Sequence, residues 1–497
     1  MRELLLFLPI VLFLFLLLLT SIWLENRKTA EKTLEDFYLS DRNLEGFVLS
    51  MSMIATYGSV SSFVSGPGVA WQLGLGWVVF AAPQIIAGFL VFGVIGKKFA
   101  IVGHRIGAVT VIDLIRARFA DPWLARLLAL TLLVAFVTMM TGQLIGGARL
   151  FAAAAGLPYE AGLVLFGLVT VFYTTLGGYR AVVITDTICA LLMVGGMFLL
   201  GWEIVHLGGG DLEALLLTIP RIDASLTTPN AGGALPWGLL LSAWLLVGFG
   251  TVALPHSSMR CLTYRQSDEL HRAMLIGTVV CGLLMIGMTF LGVLARGVLD
   301  LPVELIGETT DSVIPYLIAN HMSPFWAGLT LVGPLAATLS TVSSLMLNAS
   351  SALVQDLLRK EGLVPDRPKL LFRLSWVVTF VLGLTALLFA LYPADIVVWI
   401  NLIAFGGLET AFLFPLVASL FWRRATGRGA LVAAAGGLAA YLWASFANFH
   451  PFGAHVVTVG VLVSGVLFVV GSLTTQPEPE ERLALFFRPT SRDGSTD

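Results

Sequence analysis

The sequence predicts an all-α polytopic membrane protein of about thirteen transmembrane helices, ten of them forming two inverted five-helix repeats. Three observations lead there. The 497-residue chain is 57% hydrophobic and 12% charged, about half the charged fraction of an average soluble domain. Apolar runs of about 20 residues, the length that crosses a bilayer as helix, recur from end to end. Two of these runs, five spans apart, are interrupted by glycine, proline and hydroxyl residues.

Hydropathy places the spans at 4–24, 44–72, 76–102, 126–155, 158–177, 183–207, 236–255, 272–296, 324–356, 370–392, 395–422, 429–447 and 455–473. The first run follows Arg2 as a signal peptide would. It lacks a small-residue cleavage site and ends in WLENRK, so it is expected to be a membrane anchor. Lys and Arg gather after odd-numbered spans: Arg27, Lys28 and Lys32, then Lys97, Lys98, Arg105, Arg116 and Arg118, then Arg180. The same holds for Arg260, Arg265 and Arg272, for Arg359, Lys360 and Arg367, and for Arg423, Arg424 and Arg428. Loops after even-numbered spans are poor in basic residues or acidic, as in RGVLDLPVELIGETTD at 296–311. The positive-inside rule then puts the N-terminus outside and the C-terminus in the cytoplasm.

Between spans, GAVTVIDLIRARF at 107–119 opens with Thr110-x-x-Asp113, a capping-box pattern that predicts a cytoplasmic interfacial helix. Residues 303–321 read as a short external helix over the mouth of the protein, and the polar tail from 474 to 497 as a flexible cytoplasmic end. The absence of GxxxxGK[ST] points away from ATP-driven transport. Cys189, Cys261 and Cys281 form no CxxC pair, so neither a disulfide framework nor a metal cluster is indicated. The near-neutral net charge says nothing about nucleic-acid partners, and none is expected for such a membrane protein.

The second span contains ATYGSVSSFVSGPGVA, Ala55 to Ala70. Irregular backbone survives in lipid only where protein or a polar cavity satisfies it, although small residues also serve close helix packing. The seventh span contains WLLVGFGTVALPHSSMR at 244–260. Breaks five spans apart are what two inverted five-helix repeats would give, with a binding site between them. In the ninth span Ala337, Ser340, Thr341, Ser344, Asn348 and Ser351 share one face. Their hydroxyls could bond back to their own helix, or combine with carbonyls freed at a break to hold Na⁺, a hard ion that takes oxygen ligands.

These segments resemble the sodium:solute symporter family, and within it the branch that carries pantothenate. The resemblance runs through ATYGSVSSFVSGPGVAWQLGLGW (55–77), GKKFAI (96–101), GGARL (146–150), YTTLGGYRA (173–181), LPHSSMRCLTY (254–264), ATLSTVSSLMLNASSALVQDL (337–357) and INLIAFGGLE (400–409). One family signature matches Thr174-x-x-Gly177-Gly178, with Tyr179 where Leu, Met or Phe is usual; the other matches Arg424 followed by Gly429-Ala430. The resemblance implies a LeuT-type core of spans 2–6 (44–207) and 7–11 (208–422). One extra helix with its loop (1–43) precedes the core, two helices (423–473) and the tail follow, and the setting is the cell (inner) membrane. It implies Na⁺ as coupling ion, held by the carbonyls of Ala55 and Gly58, the carbonyl of Ala337 and the hydroxyls of Ser340 and Thr341. Where some relatives carry an acidic residue beside this site, the present chain has Tyr57.

The implied solute is pantothenate, a small organic anion. The second half of span 2 begins near Ser59 and would offer free N–H groups to its carboxylate, with Ser61 and Ser62 facing the pocket. Thr251 and Pro255 are candidates by position at the other break. Glu409, mid-depth in span 11 after Gly406-Gly407, reads as an acceptor for the solute, a cation ligand, or a clamp on backbone freed at the glycines. Arg149, near the outer end of span 4, reads as an attractor of anions at the entrance or as a snorkelling side chain. A direct Arg149–Glu409 bridge is not expected, because they differ by about eight residues, roughly 12 Å, in depth. The reading requires no covalent chemistry and no cofactor, and so no enzyme. The alternatives are the same machine carrying an amino acid or another monocarboxylate, or a channel or sensor built on the fold.

Overall fold

The computed structural model describes residues 2–26, 34–39, 44–264, 266–299, 310–393 and 397–487. The expectations for the loop before span 2 and for the first part of the external helix fall largely outside them. Span 1 is Arg2–Asn26. Span 2 is a bent pair, Gly46–Tyr57 and Ser61–Leu73, and span 3 is Leu75–Arg105. Span 4 is Pro122–Ala155. Tyr159–Leu207 runs for 49 residues, which as one straight helix would be about 74 Å long. It is two spans meeting at Gly178, whose φ of 61° and ψ of −168° break the helix. That glycine lies in the Thr174-x-x-Gly177-Gly178 motif, and φ > 0 there favours a residue without Cβ.

Span 7 is a second bent pair, Trp237–Ala253 and Pro255–Leu262. Span 8 is Ser267–Val298, span 9 Pro324–Arg359, span 10 Pro368–Ala390 and span 11 Val397–Phe421, with Gly427–Phe446 and Val457–Thr474 as spans 12 and 13. Ten long apolar helices, the two bent pairs and the Gly178 division together give thirteen spans among the described residues, the expected number. Span 9 is the axis of the bundle: 94% of its apolar window is buried, against 33–61% for the other long apolar helices. Its small residues permit this, since Gly333 and Gly196 approach backbone to backbone where the spans cross.

Several short elements differ in role from expectation. The helix Val111–Phe119 forms the predicted capping box, Thr110 and Asp113 each accepting the other's backbone N–H. It lies buried under the bundle rather than flat on a membrane surface. Asp113 also accepts from Gln355 at 3.2 Å, and Thr110 donates to Asp356 at 2.9 Å, both at the end of span 9. Arg118, read as a loop charge, is fully buried and donates to the carbonyls of Trp422, Arg423 and Ala425. This closes the C-terminus of span 11 with a cation, as the helix dipole favours. Burial lowers its pKa to about 10, so it stays charged at neutral pH.

The tail is also corrected. Glu480–Phe487 is a helix docked beneath the bundle, with Leu483 and Phe486 buried. Glu480 pairs with Arg423 at 2.5 Å, and the Phe487 ring sits 4.5 Å from Lys98 Nζ. The polar flanks hid the apolar face of LALFF. Residues 488–497 lie outside the described ones.

Candidate functional site

Span 2 loses its helical path at Gly58, where φ is −73° and ψ 107°, and its halves meet at 68°. A Cβ at Gly58 would stand 2.7 Å from the Met193 methyl and 3.0 Å from the Ile54 carbonyl oxygen, so the break is closely packed. The ψ value turns the Gly58 carbonyl off the helix axis. The N–H of Gly58 donates to Ile54 at 2.7 Å, and the N–H of Val60 to Oε1 of Gln143, a buried residue of span 4, at 3.0 Å.

Span 9 brings its hydroxyls to this break. Ser340 Oγ lies 2.7 Å from the Ala55 carbonyl, 2.8 Å from that of Ala336 and 3.1 Å from that of Ala337. Thr341 donates to the Thr56 carbonyl at 3.1 Å. Ala55, Ala337, Ser340 and Thr341 are therefore brought together, while Gly58 is one turn further along and the Thr341 hydroxyl meets Thr56 instead. Ser340 has one proton to donate, leaving lone pairs on its hydroxyl and on the surrounding carbonyls. A cluster of neutral oxygens without nitrogen or sulfur suits a hard cation.

Beside it, Ser59, Ser61 and Ser62 line a cavity with Tyr57, Asn401 and Phe405 among others. Asn401 Nδ2 donates to Ser61 Oγ at 2.5 Å and lies 3.5 Å from Ser59 Oγ. Tyr57 stacks on Phe405 with ring centroids 6.5 Å apart, and its hydroxyl donates across to the Val247 carbonyl at 3.2 Å. The two broken spans thus touch through Tyr57. The cavity is tight, about 60 Å³.

Thr251 and Pro255 are not part of that lining. Thr251 donates to its own Gly248 carbonyl at 2.7 Å, and Pro255 opens the short helix Pro255–Ser258. Proline suits a first helical position because its missing N–H would have no partner there. Glu409 is fully buried and faces the second break: a Cβ at Gly250 would lie 2.4 Å from its carboxyl carbon. Arg149 pairs with Asp311 at 3.0 Å and stays part-exposed. Asp311 also lies 3.4 Å from the Val397 N–H at the start of span 11. Burial is the main influence on the Asp311 carboxyl and raises its pKa.

The model of the sodium:solute symporter family matches residues 37–437, a stretch that holds both broken spans and the span 9 hydroxyls. The chain belongs to this family. It is 41% identical over 470 residues to a sodium/pantothenate symporter of Escherichia coli (strain K12), covering 94% of this chain and 95% of that one. It is 37% identical to a sodium/pantothenate symporter of Haemophilus influenzae, with the same coverage. Among solved structures, a Na⁺-coupled sialic acid symporter in a substrate-bound outward-open state superposes with a TM-score of 0.80 at 19% identity, covering 95% of this chain and 98% of that one. That likeness and the two bent spans establish a LeuT-type fold of two five-helix repeats. The family and these relatives make the chain a multi-pass membrane transporter and not an enzyme.

Sequence reasoning passed over three groups that hold this transporter's core. Gln143 and Asn401 are single amides in apolar helices, and nothing in their spacing announces a partner. The third is a buried ion pair, Asp186 in span 6 with Arg260 at 3.1 Å. Arg260, counted above with the loop charges, is 1% exposed. It donates to Ser52 at 3.0 Å, to Ser344 at 2.8 Å, and to Thr56. Asp186 accepts from Ser52 at 2.8 Å. This hub joins the first half of span 2 to spans 6, 7 and 9. A carboxylate inside the apolar run VVITDTICALL was a readable signal.

Proposed function

We propose that the protein couples inward movement of Na⁺ to uptake of pantothenate across the cell (inner) membrane, with the N-terminus outside and the C-terminus in the cytoplasm. The observation that carries the reading is the meeting of Ser340 and Thr341 with the carbonyls of Ala55 and Thr56, one turn from a cavity lined by Ser59, Ser61 and Ser62. Na⁺ takes the carbonyls of Ala55, Gly58 and Ala337 and the two hydroxyls. It replaces hydrogen bonds between spans 2 and 9 by shared coordination and holds the outward-open arrangement.

The solute's carboxylate lies at the start of the second half of span 2, where N–H groups and the helix dipole favour an anion. Asn401 with Ser59 and Ser61 meets its amide and hydroxyls. The tight cavity means that Tyr57 and Phe405 must part for the solute to enter. Arg149 and Asp311 join span 4 to the segment before span 9 at the outer mouth and act as a gate latch. The relatives named for sodium and pantothenate, aligned over nearly the full chain, support the choice of solute.

One Na⁺ moving inward gains about 2.3 kcal/mol per 100 mV and about 1.4 per tenfold gradient. A monovalent anion carried with a single Na⁺ cancels the voltage contribution. Uptake of labelled pantothenate into proteoliposomes, with an inward Na⁺ gradient set against K⁺ and proton gradients, tests the assignment. Accumulation that follows Na⁺ alone and is competed only by pantothenate supports it. Accumulation without Na⁺, or preferential competition by an amino acid or another monocarboxylate, contradicts it.

A further inference from the structure

Glu409 is a buried carboxylate that the transport reading leaves without a task. It is fully buried in span 11, and both of its oxygens lack a hydrogen-bond partner among the described residues. The cations in the same core are committed elsewhere, Arg260 to Asp186 and Arg149 to Asp311. Three nearby hydroxyls are committed too: Tyr57 donates to Val247, Thr251 to Gly248 and Tyr441 to Ile403. An ionised carboxylate so isolated from water is among the costliest groups a membrane protein can hold, unless a positive charge joins it.

The break of span 7 brings a backbone oxygen toward Glu409. Span 7 takes a wide, π-type winding over Trp244–Gly248 and then departs from helix at Gly248, with φ −106° and ψ −95°. The point where a Gly250 Cβ would sit lies 2.6 Å from Glu409 Oε1 and 2.4 Å from the Leu245 carbonyl oxygen. These two oxygens are thus separated by no more than the sum of those distances, 5.0 Å. Hard cations of this size take oxygens at roughly 2.3–2.6 Å, so a single ion could touch both. Only glycine fits between them, because a Cβ would clash with both. No group of three His, Cys, Asp or Glu side chains able to hold a metal ion stands among the described residues. One carboxylate with a backbone carbonyl offers only hard oxygen donors, which suit an alkali ion rather than a transition metal.

We propose that Glu409 and the Leu245 carbonyl form a second Na⁺ site at the break of span 7, separate from the site at the break of span 2. It rests on the Na⁺-coupled reading above and extends it. Two Na⁺ carried with one anion give net inward positive charge, so the membrane potential itself drives accumulation.

The test is equilibrium binding of ²²Na⁺ to the purified full-length protein, together with uptake in proteoliposomes under an imposed inside-negative potential. The wild type is expected to bind two Na⁺ and to take up pantothenate faster as the potential grows. Glu409→Gln is expected to bind one, lose the response to potential and show a Na⁺ Hill coefficient falling from about 2 to about 1. If that variant does not fold, Gly250→Ala reads the same loss, since its methyl must displace the carboxylate. The Ser340→Ala/Thr341→Ala variant should retain the Glu409 ion.

Equal Na⁺ stoichiometry in the wild type and both Glu409-site variants would overturn the second site while leaving the first intact. A wild type that binds one Na⁺ and moves a proton with the solute would overturn it as well, placing a proton on Glu409. Failure of the wild type to bind any Na⁺ would overturn the coupling reading itself.

Discussion

The two broken spans make an instructive pair, because the same backbone device is satisfied in opposite ways. At the break of span 2 neutral partners converge: Gln143 takes the Val60 N–H, and Ser340 and Thr341 reach the Ala55 and Thr56 carbonyls. At the break of span 7 the partners come mainly from the span itself, Thr251 returning to Gly248 and Ser258 N–H to Leu254. What faces it from outside is the unpartnered Glu409 carboxylate. Neutral oxygens can hold an ion and release it with little electrostatic cost, whereas a buried carboxylate holds charge more firmly and must be neutralised at each stage of a cycle. On the proposed reading, two helices with equivalent positions in inverted repeats divide the work of transport.

That contrast can be broken at several points. Among single substitutions, Gln143→Leu should do the most damage, because it strands the Val60 N–H in the core. A buried unpaired donor costs about 1–3 kcal/mol, so uptake at fixed Na⁺ should fall by about tenfold or more with expression retained. Asn401→Ala removes the donor to Ser61 and should raise the solute concentration for half-maximal uptake about three- to tenfold. The Na⁺ dependence should change little, which separates the cavity from the ion site.

Tyr57→Phe deletes one hydrogen bond between the two broken spans, worth about 0.5–1.5 kcal/mol. It should change transport rate a few-fold without altering Na⁺ affinity, as measured by uptake over a Na⁺ series. Asp311→Asn should have the smallest effect, because its Arg149 partner is part-exposed and such pairs contribute about 1 kcal/mol or less. Cysteine labelling of the Ser61 position should report a mouth that opens more readily, with little change at either break.

Much of this architecture was legible because membrane helices announce themselves by length and because their interruptions alter local chemistry. Gly58, Gly66, Pro67 and Gly68 change a 20-residue apolar run in a way no averaging hides. Pro255 does the same for span 7, and the 3.6-residue period of the span 9 hydroxyls put Ser340 and Thr341 on one face. Thr251 and Pro255 are candidates by position at the second break alone; Thr251 bonds the Gly248 carbonyl of its own span, and Pro255 opens a short helix. Gln143 and Asn401 could not be found by such means, since a lone amide has no period and its partner is 83 or 340 residues away. Arg260 was misplaced because it stands only five residues past Pro255, where a charge reads as the start of a loop. The bent helix instead turns it inward to Asp186.

The central claim is that Ser340 and Thr341 share one Na⁺ with the carbonyls at the first break. Its most direct test is the Na⁺ concentration for half-maximal uptake in Ser340→Ala/Thr341→Ala proteoliposomes with normal protein content. Loss of two oxygen ligands at about 1–1.5 kcal/mol each predicts a rise of roughly 30- to 150-fold. A Na⁺ dependence equal to that of the unaltered protein would contradict the account.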